Sequence, residues 1–314
     1  MKIAIVGSGF IGRAWAISFA RAGHEVAMWD RDPEAAAQAK VYLADILGDL
    51  QSNDLLRGQE PDAVLSRISV TSELIKALDG AGHVQGNTPG KIDVKREVFA
   101  QLDSLADRQA TIASSSSALL PSSFTERLEG RDRCLVVHPL NPPYLIPAVE
   151  VVPAPWTSAD AIKRVRELLV DAGHAPLVMK RELDGFIMNR LQGALLEEAF
   201  RLVADGYAGV EDVDRGIRDG LALRWSFMGP FETVDLNAPN GVRDYVERYQ
   251  GIYKALFEQM QRRVDWAGPV LDTVEAARRQ NLPAESLQER QMWRDRRLMA
   301  LAAHKKRSDD TYGR

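Results

Sequence analysis

The fold is decided by the first stretch of the chain, KIAIVGSGFIGRAWAISFARAG, residues 2–23. The apolar run Ile3 to Val6 predicts a buried strand, and the apolar spacing that follows predicts a helix over residues 11–22. Between the two lies the turn GSGFIG, in which the first glycine allows a tight bend and the second lets the backbone approach a phosphate. The third lets the helix pack closely against the strand. This strand–turn–helix unit is typical of a dinucleotide-binding domain.

The same turn predicts where the cofactor binds, because a helix N-terminus offers unpaired N–H groups and a positive dipole end to a pyrophosphate. The second predicted strand, EVAMW, ends just before Asp30, at the spacing where a carboxylate meets the ribose 2′-hydroxyl. Asp30 therefore favours NAD, although the neighbouring Arg31 is able to pair with the 2′-phosphate of NADP. The residues expected to contact the dinucleotide in the turn are Gly7, Gly9, Phe10, Ile11 and Gly12.

Short apolar runs and helical patterns alternate along the first two thirds of the chain. The runs are KIAIVG, EVAMW, RISVT, HVQ, TIAS, RCLVVH, AVEVV and APLVM, and further helices are predicted over residues 33–50, 92–106 and 158–172. Beyond Asp184 only helical spacing remains. We therefore predict an α/β protein with two domains. Residues 1–183 form a Rossmann-type, doubly wound, mostly parallel sheet, and residues 184–314 form an all-helical domain for substrate binding and dimerisation.

Composition narrows the class of protein. The net charge of −4 and the dispersed charges argue against a nucleic-acid partner. The single cysteine, Cys134, lies in an apolar run and is expected to be a small buried hydrophobic residue. No spacing of Cys and His predicts a metal site, and no apolar run reaches about 18 residues. We expect a cytoplasmic enzyme with no membrane segment.

Two ionisable residues interrupt the apolar stretch CLVVHPLNPPYLIPAVEVV, residues 134–152. His138 closes one predicted strand and Glu150 lies in the next, so the two meet if the prolines between them form a return loop. Histidine suits the removal of a hydroxyl proton while a nicotinamide accepts hydride, and a carboxylate beside it fixes its tautomer. From these residues alone, a buried structural histidine remains the alternative.

Several motifs, in this order, carry a resemblance that covers almost the whole chain: GSGFIG, the serine run before Ala118, HPLNPPYLIPAVEVVPAP, GFIMNRLQ, LRWSFMGPFETVDLN and QMWRDRRLMAL. The chain resembles the L-3-hydroxyacyl-CoA dehydrogenase superfamily, and within it the lambda-crystallin branch, the L-gulonate 3-dehydrogenases. The resemblance implies NAD as cofactor and agrees with a homodimer that forms through the helical domain.

The resemblance also implies roles for individual residues. His138 is the catalytic base and Glu150 its partner, Ser117 hydrogen-bonds the substrate oxygen, and Asn189 reaches the same site. A turn or helix-cap hydroxyl is the alternative for Ser117, and an interdomain hydrogen bond is the alternative for Asn189. Two more predicted contacts are Lys95 with the cofactor and Asn141 with the substrate.

The chain departs from the family pattern at Gly86 and Gly90, where glutamates are usual near the nicotinamide end of the cofactor. Their absence places full activity, or the usual cofactor position, in question.

Arg224, just before MGPFE, bears on the substrate. Its guanidinium can bind a carboxylate bidentately, and a free hydroxy acid offers one where a CoA thioester does not. An ordinary ion pair is the alternative for this residue. The expected reaction is the NAD-dependent oxidation of a small L-3-hydroxy acid to the 3-keto acid, with L-gulonate as first choice. The rivals are a 3-hydroxyacyl-CoA dehydrogenase, a carnitine-type dehydrogenase and a non-catalytic, crystallin-like protein.

Overall fold

The computed structural model describes residues 1–313, and they divide into two compact units. The first comprises Met1–Asn189 together with Arg294–His304, and the second comprises Arg190–Trp293 and the chain from Lys305 onward. The last helix, Leu287–Tyr312, is thus divided between the two units: its middle part, residues 294–304, belongs to the first unit, and its two ends belong to the second.

The first unit is built on one eight-stranded sheet with the strand order β3-β2-β1-β4-β5-β6-β7-β8. Its neighbouring strands run parallel except for β6 and β7, which pair antiparallel. The predicted mostly parallel, doubly wound sheet is confirmed. The strands are β1 (Lys2–Val6), β2 (Glu25–Trp29), β3 (Ile68–Thr71), β4 (Ala81–Gly86), β5 (Thr111–Ser114), β6 (Cys134–Pro139), β7 (Ala148–Pro153) and β8 (Ala175–Val178).

The direction in which strands are added reverses between β1 and β4. The chain first adds β2 and β3 on one side of β1, and then returns to add β4 on the other side. In open α/β sheets, ligands bind outside the carboxyl ends of the strands at such a switch point. The turn after β1 and the segment after β4 therefore border the expected cofactor crevice.

Seven helices accompany the sheet, and the four that the sequence predicted begin and end within two residues of their predicted bounds. Asp32 and Ser158 cap two of them, because their side chains accept the N–H groups of Glu34 and Ala161. The helices are α1 (Phe10–Arg21), α2 (Pro33–Ser52), α3 (Pro61–Leu65), α4 (Leu74–Leu78), α5 (Ile92–Leu105), α6 (Ser122–Thr125) and α7 (Ala159–Asp171).

The sheet buries apolar side chains on both faces, because successive strand residues point to opposite sides. Along β1, Ile3 and Ile5 join one core cluster while Ala4 and Val6 join the other. Met299, far away in the sequence, is fully buried in the first of these clusters. The core of the first unit thus includes part of the last helix.

The second unit is helical, as predicted, and its described residues contain no strand. Its large apolar side chains are often exposed, with Phe227 at 72% and Phe231 at 82%. No described helix is long and apolar enough to cross a membrane. The remaining helices are α8 (Met188–Ala204), α9 (Val210–Gly216), the π-helical turn Ile217–Leu221, α10 (Ala222–Trp225), α11 (Pro230–Asp235), α12 (Gly241–Gln259), α13 (Pro269–Asn281) and α14 (Leu287–Tyr312).

Candidate active site

His138 and Glu150 face each other across the antiparallel pair of β6 and β7. The proline-rich segment between the two strands, residues 140–147, is the return loop that this pairing requires. The distance from His138 Nδ1 to Glu150 Oε2 is 2.6 Å, and both side chains are buried. The two residues that the sequence singled out therefore form one buried hydrogen-bonded pair.

The pairing settles which nitrogen of His138 is free to act. An ionised carboxylate only accepts hydrogen bonds, so Nδ1 carries the proton and donates it to Glu150. Nε2 is then the unprotonated nitrogen, and it has no hydrogen-bond partner among residues 1–313. A neutral imidazole held in this tautomer is suited to act as a general base.

Glu150 is fixed at its second oxygen as well. Oε1 accepts the backbone N–H groups of Ile187 and Met188, at 2.6 and 2.8 Å, where α8 begins. Burial alone would raise the pKa of Glu150. The hydrogen bonds from His138, Met188 and Ile187 outweigh burial and hold the pKa below its usual range. Glu150 is therefore a carboxylate at neutral pH and stabilises the imidazolium that forms when His138 accepts a proton.

The four consecutive serines differ in what their hydroxyl groups contact. Those of Ser114 and Ser116 accept backbone N–H groups at 3.2 and 3.0 Å, and that of Ser115 donates to a neighbouring amide at 2.7 Å. Ser117 is exposed, and its hydroxyl has no partner among the described residues. The structural alternative therefore accounts for three of the four serines and leaves Ser117 available to a ligand.

Asn189 lies next to Ser117. Its Nδ2 donates to the Ser117 carbonyl oxygen over 2.6 Å, so the structure brings these two predicted site residues together. Both belong to the first unit. The contact fixes the backbone that carries the free Ser117 hydroxyl, which makes Asn189 a positioning residue in this arrangement.

The glycine turn after β1 is shaped for close approach. Gly7 has a φ of +95°, which favours glycine, and a Cβ at Gly12 would lie 1.8 Å from the Gly7 carbonyl oxygen. At Gly9 a Cβ would meet nothing within 4 Å, so this glycine borders open space. No side chain caps α1, and its first-turn N–H groups remain available to a phosphate. Phe10 and Ile11 supply two of those N–H groups.

Asp30 lies at the carboxyl end of β2, beside the turn. Its Oδ2 accepts the backbone N–H and the hydroxyl of Ser8, at 2.6 and 2.9 Å, and its Oδ1 accepts the Asp32 N–H at 3.0 Å. The carboxylate thus connects the second strand to the glycine turn, next to the space that the dinucleotide requires. Arg31 is exposed and has no polar partner in the described part of the chain.

Lys95 is a buried cation near the same edge of the sheet. Its side chain is 1% exposed, and it forms no hydrogen bond or ion pair with a described residue. Burial lowers the pKa of this ammonium to about 8. An unpaired buried ammonium is costly unless a ligand group compensates it. Together with the open turn at Gly9, Lys95 fits the binding of a polar, anionic cofactor such as NAD.

The two glycines that replace family glutamates differ in their surroundings. A Cβ at Gly86 would lie 3.2 Å from the Ala113 carbonyl oxygen, whereas a Cβ at Gly90 would meet nothing within 4 Å. Only Gly90 leaves room for a long side chain without a shift of the backbone.

The sequence interpretation missed a polar network beneath the turn. Asn87 Oδ1 accepts from Ser115 Oγ at 2.7 Å, and Ser115 Oγ also accepts from Trp15 and Gln85. The Asn87 carbonyl oxygen would lie 2.9 Å from a Cβ at Gly7. The available signal was the position of polar residues directly after β4 and β5, at the carboxyl edge of the sheet.

Two predicted substrate contacts have less defined surroundings. Asn141 is exposed in the return loop. Arg224, in the second unit, is exposed, and its Nη1 lies 3.5 Å from Asn237 Oδ1, with no carboxylate partner among the described residues. Among the described residues, Arg224 therefore does not form the ordinary ion pair that was the alternative.

The single cysteine has no part in the site. Burial raises the pKa of the Cys134 thiol to about 12, so it is an inert core residue. Within residues 1–313, no three His, Cys, Asp or Glu side chains come together as metal ligands.

Comparison with known proteins identifies the family. Residues 2–182 match the NAD binding domain of 3-hydroxyacyl-CoA dehydrogenase, and residues 185–279 match its C-terminal domain. The chain belongs to the 3-hydroxyacyl-CoA dehydrogenase family. It is accordingly an NAD-dependent dehydrogenase of hydroxy acids or hydroxyacyl compounds, and the predicted family and cofactor are confirmed.

The chain is similar to proteins with different activities or roles in their names. Lambda-crystallin of Oryctolagus cuniculus is 39% identical over 97% of this chain and 96% of its own length. L-carnitine dehydrogenase of Streptomyces griseus is also 39% identical, over 76% of this chain and 70% of its own. Among solved structures, a 5-formyl-3-hydroxy-2-methylpyridine 4-carboxylic acid 5-dehydrogenase, an NAD+ dependent dismutase, is similar with a TM-score of 0.83. It is 26% identical, with 96% of each chain covered.

Proposed function

We propose that this dehydrogenase oxidises a small, polar L-3-hydroxy acid to the 3-keto acid, with L-gulonate as the first candidate. The observation that carries the proposal is the exposed Arg224 guanidinium, which has no carboxylate partner among the described residues. A free acid supplies that carboxylate, and a CoA thioester does not. The similarity to lambda-crystallin over 97% of the chain is consistent with the same branch of the family.

The side chains described above divide the work of this reaction. NAD, when bound, supplies the hydride acceptor. His138 Nε2 takes the proton of the substrate hydroxyl, and Glu150 stabilises the resulting imidazolium. The free hydroxyl of Ser117 donates to the substrate oxygen, where charge develops, while Asn189 holds the backbone of Ser117 in place. Lys95, Asp30 and the glycine turn are the proposed cofactor contacts, and Asn141 is a further proposed substrate contact.

One alternative has an observation in its favour. A carnitine-type enzyme needs aromatic rings for a quaternary ammonium group, and α12 presents Tyr245, Tyr249 and Tyr253 at intervals of four residues. The neighbouring positive charge of Arg224, which acts on Tyr245, counts against a cationic ligand there. Measurements of activity distinguish the proposed function from two further alternatives, an enzyme that acts on a CoA thioester and a non-catalytic protein.

The substrate class can be tested with Arg224→Ala. Activity would be measured as NADH formation from L-3-hydroxybutyrate and from L-3-hydroxybutyryl-CoA. We expect kcat/KM to fall about 100-fold on the free acid, because a bidentate charged hydrogen bond is lost, and to stay within about threefold on the thioester. Arg243→Ala, at another exposed arginine of the second unit, is the matched control. Equal losses on both substrates would contradict the assignment of Arg224.

We further propose that the enzyme is a homodimer associated through its second unit. The support is the number of large apolar side chains exposed between residues 223 and 236, namely Leu223 (60% exposed), Phe227 (72%), Phe231 (82%) and Leu236 (69%). Single chains rarely leave large apolar patches in water. Phe231→Ser should convert dimer to monomer in sedimentation velocity, whereas Tyr207→Ser, at a residue 79% exposed in the same unit, should not. A wild-type chain that sediments as a monomer would refute this proposal.

A further inference from the structure

A chain of hydrogen-bonded polar side chains runs through the core of the first unit and ends at the glycine turn. His83 Nδ1 lies 2.8 Å from Thr111 Oγ1, and His83 Nε2 lies 3.1 Å from Gln85 Oε1. Gln85 Nε2 donates to Ser115 Oγ at 2.7 Å, and Ser115 Oγ donates to Asn87 Oδ1 at 2.7 Å. The chain is buried at His83 and half-buried at Asn87. It thus connects the interior of the sheet to the border of the expected cofactor crevice.

One backbone carbonyl group fixes the direction of every hydrogen bond in this chain. The Gln85 carbonyl oxygen only accepts, so Asn87 turns Nδ2 toward it, at 2.9 Å, and turns Oδ1 toward Ser115. Ser115 gives its single proton to that oxygen, so the Gln85 side chain donates to Ser115 and presents Oε1 to His83. Burial lowers the pKa of His83 to about 4, so the ring is neutral and carries its proton on Nε2. Every donor in the chain therefore has its acceptor, and such a satisfied network holds its members rigidly.

Asn87 connects the chain to the glycine turn. A Cβ at Gly7 would lie 2.9 Å from the Asn87 carbonyl oxygen, and a Cβ at Gly12 would lie 3.3 Å from Asn87 Nδ2. Asn87 therefore packs against the first and third glycines of the turn. Its backbone N–H also donates to the Val6 carbonyl oxygen at 2.7 Å, directly before the turn. The conformation of the turn thus depends on Asn87 staying in one place.

We propose that Gln85, Ser115 and Asn87 are positioning residues for the cofactor, which hold the glycine turn in the conformation that binds the pyrophosphate of NAD. They act through the turn and need not touch the dinucleotide. A turn that is already ordered loses less conformational entropy on binding, so the chain raises the affinity for the cofactor. The inference rests on the proposed contact between the glycine turn and the cofactor, and it is independent of the choice of substrate.

Ser115→Ala tests the proposal most directly, because the Ser115 oxygen also accepts from Trp15 at 3.1 Å and is the centre of the chain. The dissociation constant of NADH would be measured by its fluorescence, and that of ADP-ribose by competition with NADH. We expect both constants to rise about tenfold, because ADP-ribose contains the same pyrophosphate without the nicotinamide.

Thr125→Val is the matched control for the loss of a hydrogen-bonded hydroxyl. The Thr125 hydroxyl likewise accepts an indole N–H at 3.1 Å and donates at 2.7 Å, but it belongs to α6 and not to the chain. We expect this variant to lower the melting temperature about as much as Ser115→Ala does, while it binds NADH and ADP-ribose as the wild type does.

A double-mutant cycle shows whether Ser115 acts through Asn87. Asn87→Ala should itself raise the dissociation constant of NADH about tenfold, and Ser115→Ala added to it should raise the constant by less than about twofold more. Multiplied effects of the two changes would overturn the proposal. Asn87→Ala also decides the question if Ser115→Ala fails to fold, because unchanged affinity for both ligands in this variant contradicts the proposal.

The outcomes separate the chain from the turn that it supports. If Gly9→Ala weakens NADH binding and Ser115→Ala does not, the role of the chain is overturned and the turn remains a cofactor contact. The same holds if Thr125→Val weakens binding as much as Ser115→Ala, or if Ser115→Ala weakens the binding of NADH but not of ADP-ribose. If neither Gly9→Ala nor Ser115→Ala affects NADH binding, both assignments are overturned.

Discussion

Ser116 and Ser117 are adjacent in the chain, but their hydroxyl groups have different surroundings. That of Ser116 is buried and accepts the Leu119 N–H at 3.0 Å, whereas that of Ser117 is exposed and unpaired within the described residues. We expect Ser117→Ala to lower kcat about 100-fold, with the free energy of unfolding unchanged within about 0.5 kcal/mol. Ser116→Ala should leave kcat unchanged and lower the free energy of unfolding by about 1 kcal/mol, because a buried hydrogen bond is lost. Steady-state kinetics and urea unfolding measure both. Loss of activity only in the Ser116 variant would exchange the two roles.

Glu150→Gln tests whether the tautomer of His138 matters. A glutamine can present its NH2 group to Nδ1, which favours a proton on Nε2 and removes the base. We expect kcat to fall roughly 100-fold to 10 000-fold, with NADH binding retained. The control is Glu129→Gln, whose carboxylate forms an exposed ion pair with Arg108. A kcat near that of the wild type would show that Glu150 serves only to hold the start of α8.

For single residues, the sequence predicted which side chains meet better than it predicted which side-chain groups remain free. The apolar run around His138 and Glu150, broken by prolines, was enough to expect that they meet. The choice of Ser117 among four serines depended on which hydroxyl groups the backbone already uses, and no pattern of residue types contains that information. The contact of Asn189 with the Ser117 carbonyl lay beyond the sequence for the same reason.

Among the elements, the start of α1 allows a paired experiment. Gly9 has a φ of −64° and open space at its Cβ position, so alanine fits there, whereas a Cβ at Gly12 would collide with the Gly7 carbonyl. Gly12→Ala should therefore destabilise the protein by about 3 kcal/mol or more. Gly9→Ala should leave the melting temperature unchanged and weaken NADH binding about tenfold, because the methyl group occupies space that a phosphate needs. Calorimetry and NADH fluorescence titration distinguish the two. Unchanged NADH affinity in the Gly9 variant would remove the turn from the cofactor site.

The regular elements were predictable because their signals are local. Alternating β-branched runs and helical spacing gave the strands of the sheet and four of its helices within two residues. The reversal of β7 was open, since an apolar run such as AVEVV carries no mark of its direction. The contribution of α14 to the first unit was also hidden, because a single fully buried Met299 in a charged helix is a weak pattern.

For the whole molecule, two buried histidines predict a loss of stability in acid. Burial lowers the pKa of His83 and His174 to about 4, below the model-peptide value of 6.5. The unfolded chain therefore binds more protons between pH 6.5 and 4, so stability is full above pH 6.5 and falls as the pH falls through that window. From pH 7.5 to 5.5 the two together should cost roughly 3 kcal/mol.

Urea unfolding at the two pH values measures this loss. His174→Phe keeps a ring beside Trp15, whose centroid is 5.0 Å away, and should remove about half of the pH dependence. If the His174 variant loses as much stability in acid as the wild type, other groups are responsible.

The division of the chain also has a consequence for recombination. Residues 190–293 are topologically an insertion, because the chain leaves the first unit at Asn189 and re-enters it at Arg294. On re-entry it places Met299 in the core and brings Arg296 within 3.1 Å of Asp49. A chimera of two relatives that is joined at one crossover near residue 184 would therefore combine the sheet of one relative with residues 294–304 of the other. The core of the first unit would then contain a mismatched Met299 segment. Three crossovers, which keep residues 294–304 with their own sheet and the chain from residue 305 with the second unit, should give a chimera that folds.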